Sequence, residues 1–228
     1  MDQMYSRTLG KAFEGEDDME GWCANLHAVM NVIVTVRVPL GMEALADMVG
    51  MDVETVAETL SKIASLLYIA DNQIRVIHKS LADFLLDPKR CTDSRFSINR
   101  DESNQHVVLA CLKALNDHLA PNMCGIHPSQ FNSEVADLNE RIQEKIPGCV
   151  QYASRYWIDH LLDASYAREF NQHLDRMFAE RVMDWLEVVS VLGIVPVITL
   201  ELGRLKDWVK PRYAKMNFKT VELINDTF

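Results

Sequence analysis

The sequence lacks the devices that mark most enzymes. It has no G-x-x-x-x-G-K-[ST] loop, and so no backbone cradle of that kind for a triphosphate. It has no G-x-S-x-G elbow and no H-E-x-x-H helix, which removes the common serine-hydrolase and zinc-protease signatures. No C-x-x-C occurs. The five cysteines, at 23, 91, 111, 124 and 149, are odd in number and scattered, which favours reduced thiols in a cytosolic protein over a disulfide framework. The first residues, Met1-Asp2-Gln3-Met4-Tyr5-Ser6-Arg7, hold no apolar signal core. The apolar, uncharged run 188–200 is interrupted by Gly193 and Pro196 and falls short of the roughly 20 residues a membrane-spanning helix needs. A buried helix pair is the better reading there. Positive charge is scarce as well: 23 basic against 33 acidic residues give a net charge of −10. Nucleic acid and anionic membrane would both repel such a chain.

What is present is ample apolar material. Of the 228 residues, 48% are hydrophobic and 25% charged, values ordinary for one or two soluble domains. Residues 1–13 read as a short helix with Met4, Leu9 and Phe13 available for burial, followed by an acidic linker at 15–18. A helix from Glu20 to about Val36 places Trp22, Leu26, Val29, Met30 and Ile33 on one stripe, and Pro39 ends it. A second helix at 42–49 turns Leu45, Ala46 and Val49 inward. Gly50 makes the turn, and Asp52 caps a third helix with Val53, Val56, Leu60 and Ile63 on its core face. Strands at 66–69 and 74–77 flank the turn Asp71-Asn72-Gln73. Three helices and a hairpin form the layout of a winged helix, with Gly50 in its helix-turn-helix.

His78 stands where the second strand becomes a helix. Ser80 is placed to cap that helix, and Leu81, Phe84 and Leu85 occupy one face of it. The ring of a histidine at such a junction can point out of the domain. Beyond Asp87-Pro88 the texture is helical and irregular, with no fixed-period repeat. Residues 103–119 carry Val107, Val108, Cys111, Leu112 and Leu115 as an apolar stripe. Ser133 is expected to cap a helix bearing Val135, Leu138 and Ile142, and Pro147-Gly148 breaks it. Further helices follow from Val150, Ala153, Trp157 and Leu161, from Phe170, Leu174, Met177 and Phe178, and from Val182, Trp185, Leu186 and Val189. A last one runs to about Lys210, where Pro211 stops it.

Val76-Ile77-His78-Lys79-Ser80-Leu81-Ala82-Asp83-Phe84-Leu85 resembles the closing motif of the winged-helix domain in NACHT-type signalling ATPases of the STAND, or NOD-like-receptor-like, kind. The likeness is above all to their large fungal group. That motif has the form apolar-His-x-Ser-aromatic-x-acidic-Phe-Leu, from which this chain departs at Leu81. Three more stretches fit the same group in the same order. They are Arg37-Val38-Pro39-Leu40, Asn122-Met123-Cys124-Gly125-Ile126, and Gln151-Tyr152-Ala153-Ser154-Arg155-Tyr156-Trp157-Ile158-Asp159-His160-Leu161. The resemblance implies a mainly α chain: residues 1–15 a residual helix from the end of a nucleotide-binding module, 16–98 a winged-helix domain, 99–210 an irregular α-helical array, and 211–228 a weakly patterned tail.

It also implies a role. In such proteins the winged-helix histidine reaches the bound nucleoside diphosphate and holds the closed state. Here that residue is His78, with Ser80, Asp83 and Phe84 supporting the motif. An imidazole N–H donating to a phosphate oxygen forms a charge-assisted hydrogen bond, so the chemistry is sound. The nucleotide-binding core itself is absent from this sequence. The expectation is therefore a non-catalytic, cytoplasmic regulatory region, without cofactor or metal. Its partners would be a NACHT core in cis or in trans and other protein domains, with no nucleic acid and no membrane.

Rival readings exist at each point. A junction histidine is commonly half-buried and satisfied by a backbone carbonyl. Cys111, His118, Cys124 and His127 lie close in sequence, but their spacing matches no common zinc module. Asp159-His160 suggests acid–base work, while an exposed pair on an amphipathic helix is commoner. A helical scaffold or adaptor would have no special use for His78. A DNA-binding winged helix needs a basic recognition helix, yet residues 41–65 carry Glu43, Asp47, Asp52, Glu54 and Glu58 against Lys62, a balance of 1 − 5 = −4. Fluorescence anisotropy with duplex DNA at low salt, the condition most favourable to electrostatic binding, is expected to show no association. Salt-sensitive submicromolar binding would instead make the chain a DNA-binding regulator.

Overall fold

Gly50 and Asp52 show how the first half folds. Gly50 adopts φ 72°, the left-handed region that glycine enters without a Cβ penalty, and so ends α3 (Met42–Val49). Two residues later the Asp52 carboxylate accepts the Thr55 backbone N–H at 2.8 Å and opens α4 (Val53–Lys62). The computed structural model describes residues 1–12 and 19–212 of the chain. Phe13, the linker at 15–18 and the tail from 213 lie outside the described residues. The chain is mainly helical with one small hairpin, and it divides into two compact units, Met1–Ser103 and Asn104–Phe228.

In the first unit, α1 (Asp2–Lys11) is followed by α2 (Met19–Thr35), α3, α4, β1 (Leu67–Ala70), β2 (Gln73–Val76) and α5 (Lys79–Leu85). Trp22, Leu26, Val29 and Met30 of α2 are buried, as are Leu45 and Ala46 of α3 and Val56, Leu60 and Ile63 on and just after α4. Val53 differs from expectation: at the first position of α4 it faces outward, 44% exposed. The hairpin turns on Asp71 and Asn72 alone, with φ 52° and 58°, and pairs Ala70 with Gln73. Two positive φ values in succession match the right-handed strand twist, and Asn and Asp tolerate them. α2 ends at Thr35, four residues before Pro39, and after the bend at Arg37 and Val38 the Leu40 carbonyl accepts the Ile74 N–H at 2.8 Å. The irregular stretch 91–99 is not loose, since Cys91, Phe96 and Ile98 are buried. The His27 ring donates to the Ser97 carbonyl at 3.2 Å, and the buried Ser103 hydroxyl bonds the Asn31 amide oxygen.

α1 supplies a finding of its own. Leu9 is buried as expected, but Met4, also expected inside, is 50% exposed and Tyr5 is buried in its place. The buried set Tyr5, Leu9 and Ala12 has i, i+4, i+7 spacing, a regular helical stripe. Tyr5 packs against Phe84 of α5 with ring centroids 5.6 Å apart. Arg90 clasps Asp2 with both ends of its guanidinium, at 2.7 and 3.0 Å. That partner holds the Asp2 carboxyl below the usual carboxylate range. The attraction is therefore present at neutral pH and fades as acid protonates Asp2.

The second unit holds most of α6 (Arg100–His118), then α7 (Leu138–Lys145), α8 (Gly148–Asp163), α9 (Glu169–Arg176), α10 (Val182–Val191) and α11 (Val195–Val209). Its centre is Trp157, fully buried, with Trp185 at 5.8 Å and Phe178 at 6.2 Å, both edge-on. Such geometry suits the ring quadrupoles. Between α9 and α10 the expected break is a π-helical turn, Met177–Arg181, which carries one helical run through both. Ser133 does not cap α7. It lies in a 3-10 turn, Asn132–Glu134, and α7 starts later, at Leu138. His160 is the larger correction. It is not exposed but completely buried, with Nε2 2.7 Å from the Tyr152 hydroxyl and Nδ1 3.0 Å from the Asn104 side-chain oxygen. Its position on the inner stripe of α8, three residues after Trp157, accounts for this.

Truncating Phe84 to alanine removes a ring 1% exposed and is expected to cost on the order of 3–5 kcal/mol. Asp52→Ala, which removes only an exposed cap, should cost much less. Chemical denaturation of both variants checks the order, and equal losses would contradict the packing described.

Candidate functional site

β2 ends at Val76, Ile77 stands 56% exposed, and His78 follows with φ −154° and ψ 139°. That extended backbone is what an N-cap residue needs, and His78 is itself the cap of α5. Its Nδ1 accepts the Ser80 backbone N–H at 3.1 Å and lies 2.8 Å from the Ser80 hydroxyl oxygen. The expectation that Ser80 caps α5 is thus corrected. Ser80 is inside the first turn, and the imidazole takes the capping place, since an aromatic nitrogen lone pair two bonds from Cβ reaches the same N–H that an Asn oxygen would.

This arrangement decides the chemistry of the ring. Nδ1 must keep its lone pair toward the Ser80 N–H, so the proton of the neutral ring sits on Nε2. His78 is exposed, and Nε2–H is its remaining polar group. The junction therefore presents one oriented N–H donor.

The other motif residues divide. Phe84 is buried under Tyr5 and holds α5 in place; Leu81 and Leu85 are buried beside it. Leu81, where the resembling motif has an aromatic, is 0% exposed. Asp83 is exposed and makes no hydrogen bond among the described residues; its charge lies in the field of Arg90. It is not brought to His78. The sequence reading missed Tyr5, whose hydroxyl lies 2.7 Å from the Ser80 hydroxyl. The stripe of Tyr5, Leu9 and Ala12 was the available signal.

His127-Pro128-Ser129 repeats the turn: His127 Nδ1 accepts the Ser129 N–H at 3.3 Å and lies 2.7 Å from its hydroxyl. The His-x-Ser geometry alone is therefore a local device. What sets His78 apart is its place between β2 and α5 and the reach of Tyr5 to Ser80, which has no counterpart at Ser129 among the described residues. The other stretches quoted above serve the fold. Asn122, at φ 50°, closes its loop by bonding Ile126 in both directions.

The alternative chemistries find little support in the geometry. Cys111 and Cys124 are buried while His118 and His127 are exposed, and no group of three or more His, Cys, Asp or Glu suited to a metal forms among the described residues. All five cysteines are free. Burial pushes the Cys91 thiol up to about 11 and raises Cys111 further, the opposite of what a thiolate nucleophile requires. No helix among the described residues is long and apolar enough to cross a membrane.

Because His78 caps α5, His78→Ala is expected to cost about 1 kcal/mol, well below Phe84→Ala, and His78→Asn, which keeps a capping oxygen, should restore most of it. Denaturation midpoints of the two variants check this. A loss in His78→Asn as large as in Phe84→Ala would make the ring part of the core.

No family description and no solved structure matches the chain. One curated protein is similar to it: the vegetative incompatibility protein HET-E-1 of Podospora anserina, at 23% identity over 222 residues, covering 86% of this chain and 16% of that protein. The chain thus spans only a small part of that relative's length. The similarity accords with the resemblance to the fungal NACHT group and, at this identity, reaches no further than a distant relationship.

Proposed function

We propose that this chain is a non-catalytic regulatory region of a NACHT-type signalling protein, built as a winged helix followed by a helical domain. In this reading it couples the nucleotide state of a separate NACHT core to a change of conformation. The observation that supports it best is the exposed His78 ring, held by its own cap so that Nε2–H points outward. Distant similarity to HET-E-1 is compatible with a signalling role. In this reading the His78 junction contributes one oriented donor and no phosphate-binding loop, so most nucleotide affinity comes from the core. α1, in the same compact unit as the hairpin, is read as the last helix of the nucleotide-binding module seated on the winged helix.

A protein-docking module is the second reading, and one feature favours it. A groove of about 300 Å³ between α4 and the hairpin is lined by Met42, Leu60, Leu67, Tyr68, Ile69 and Ile74. Exposed Glu54 and Glu58 lie on the same helix, which would suit an apolar, basic segment of another domain. The nucleic-acid reading loses ground, because all five acidic residues of α3, α4 and their turn are exposed.

The test joins the chain to a matching nucleotide-binding module, or mixes the two, and measures ADP release. His78→Asn should speed release about ten- to a hundredfold, the value of roughly 1.5–3 kcal/mol for a hydrogen bond to a charged group. The chain alone should bind neither ATP nor ADP at a stoichiometric site by titration calorimetry. Unchanged release, or micromolar binding by the chain alone, would contradict the proposal.

A further inference from the structure

A line of hydrogen bonds runs from the inside of α1 to the exposed ring. The Tyr5 hydroxyl lies 2.7 Å from Ser80 Oγ, and Ser80 Oγ lies 2.8 Å from His78 Nδ1. Donor and acceptor roles follow from its far end. Nδ1 accepts the Ser80 N–H at 3.1 Å and so carries no proton; toward the Ser80 hydroxyl it can only accept, its one lone pair shared between the two donors. The Ser80 oxygen is then left to accept, and the Tyr5 O–H donates to it. Each donor polarises the next and strengthens its bond. The starting point is rigid: Tyr5 is 1% exposed, its ring lies on Phe84, and α1 is clasped at Asp2 by Arg90. The end point is exposed.

We propose that Tyr5 is a positioning residue for His78: acting through the Ser80 hydroxyl, it reinforces the hold of the backbone cap on the ring in the Nε2–H form, so that the outward donor is held most firmly while α1 is seated. The device makes the firmness of that donor depend on where α1 sits. Its consequence for nucleotide retention rests on the proposed function; the relay itself does not.

The test uses the 228-residue chain labelled with ¹⁵N, in slightly alkaline buffer without nucleotide, and reads the imidazole nitrogens of His78 in long-range proton–nitrogen correlation spectra. His78→Asn identifies the resonances by their loss. The wild type should show Nδ1 unprotonated and hydrogen-bonded, and Nε2 protonated. Ser80→Ala should move Nδ1 toward the value of a free ring. Tyr5→Phe, which keeps the ring on Phe84, should move it the same way by less. In the Ser80→Ala background, Tyr5→Phe should add nothing, because residues acting in series are not additive.

Three results would overturn the relay. One is a wild-type ring protonated on Nδ1. Another is a Tyr5→Phe variant that leaves the nitrogens unmoved or fails to fold, since the hydroxyl would then serve the fold alone. The third is an equal Tyr5→Phe shift with and without the Ser80 hydroxyl, which would mean that packing of α1 and not the hydrogen-bond line acts on the ring. Measured with the nucleotide-binding module, Tyr5→Phe should speed ADP release by less than His78→Asn does. If the nitrogen shifts are as expected but neither variant alters release, the relay stands and the nucleotide reading falls. If His78→Asn speeds release while Tyr5→Phe leaves both release and the nitrogens unchanged, the nucleotide reading stands and the relay falls.

Discussion

Everything at the candidate site depends on α5 being held by its buried face. α5 has only seven residues, too few to be stable as an isolated helix in water. Leu81, Phe84 and Leu85 give it a place by burying one side, and Tyr5 covers Phe84 from α1. With that side fixed, the first turn of α5 is fixed as well, and its Ser80 N–H needs an acceptor. His78 supplies one. The ring is therefore oriented by a need of the helix and not by a binding pocket, which is why the site consists of one donor and little else. A capping aspartate would satisfy the helix equally well but would turn a negative charge outward; imidazole satisfies it and turns out an N–H.

Electrostatics sorts the remaining surface. Five exposed carboxylates on α3, α4 and the turn between them would meet phosphates unfavourably, and Lys62, the lone base of that stretch, lies over the Trp22 ring at 4.7 Å. Two buried polar side chains of the second unit are paired inward: His160 with Tyr152 and Asn104, and the Trp185 indole N–H with the Ser154 carbonyl at 3.3 Å. Burial of these groups is tolerable because each has a partner. His160 thus belongs to the core of its unit, while its neighbour Asp159 turns to Arg155 and Arg204.

Much of this was legible in the sequence because its signals are local. Gly50 and Asp52 act within four residues and their geometry appears as read, while the turn read as Asp71-Asn72-Gln73 is one residue shorter, Gln73 pairing in the strand. The apolar stripe of α6 was legible too, since Val107, Val108, Cys111, Leu112 and Leu115 are all fully buried. What was not legible required knowing a neighbour. Val53 and Met4 are apolar but face water, because the first turn of a helix has no partner on its outer side. His160 looked like half of an exposed pair until Asn104, 56 positions away, proved to be its partner. Ser80 was read as the cap by residue type, whereas backbone geometry gives that place to His78. Tyr5 was missed because its partner, Ser80, lies 75 residues on.

The central claim is that His78 presents an oriented Nε2–H to a nucleotide held by another module. The most direct measurement is the ¹H–¹⁵N signal of that group, followed while an ADP-loaded NACHT module is added to the labelled chain. A direct hydrogen bond should shift the signal downfield and slow its exchange with water, and the effect should vanish when the module carries no nucleotide. A signal that stays at its free position while the rest of the interface shifts would contradict the account.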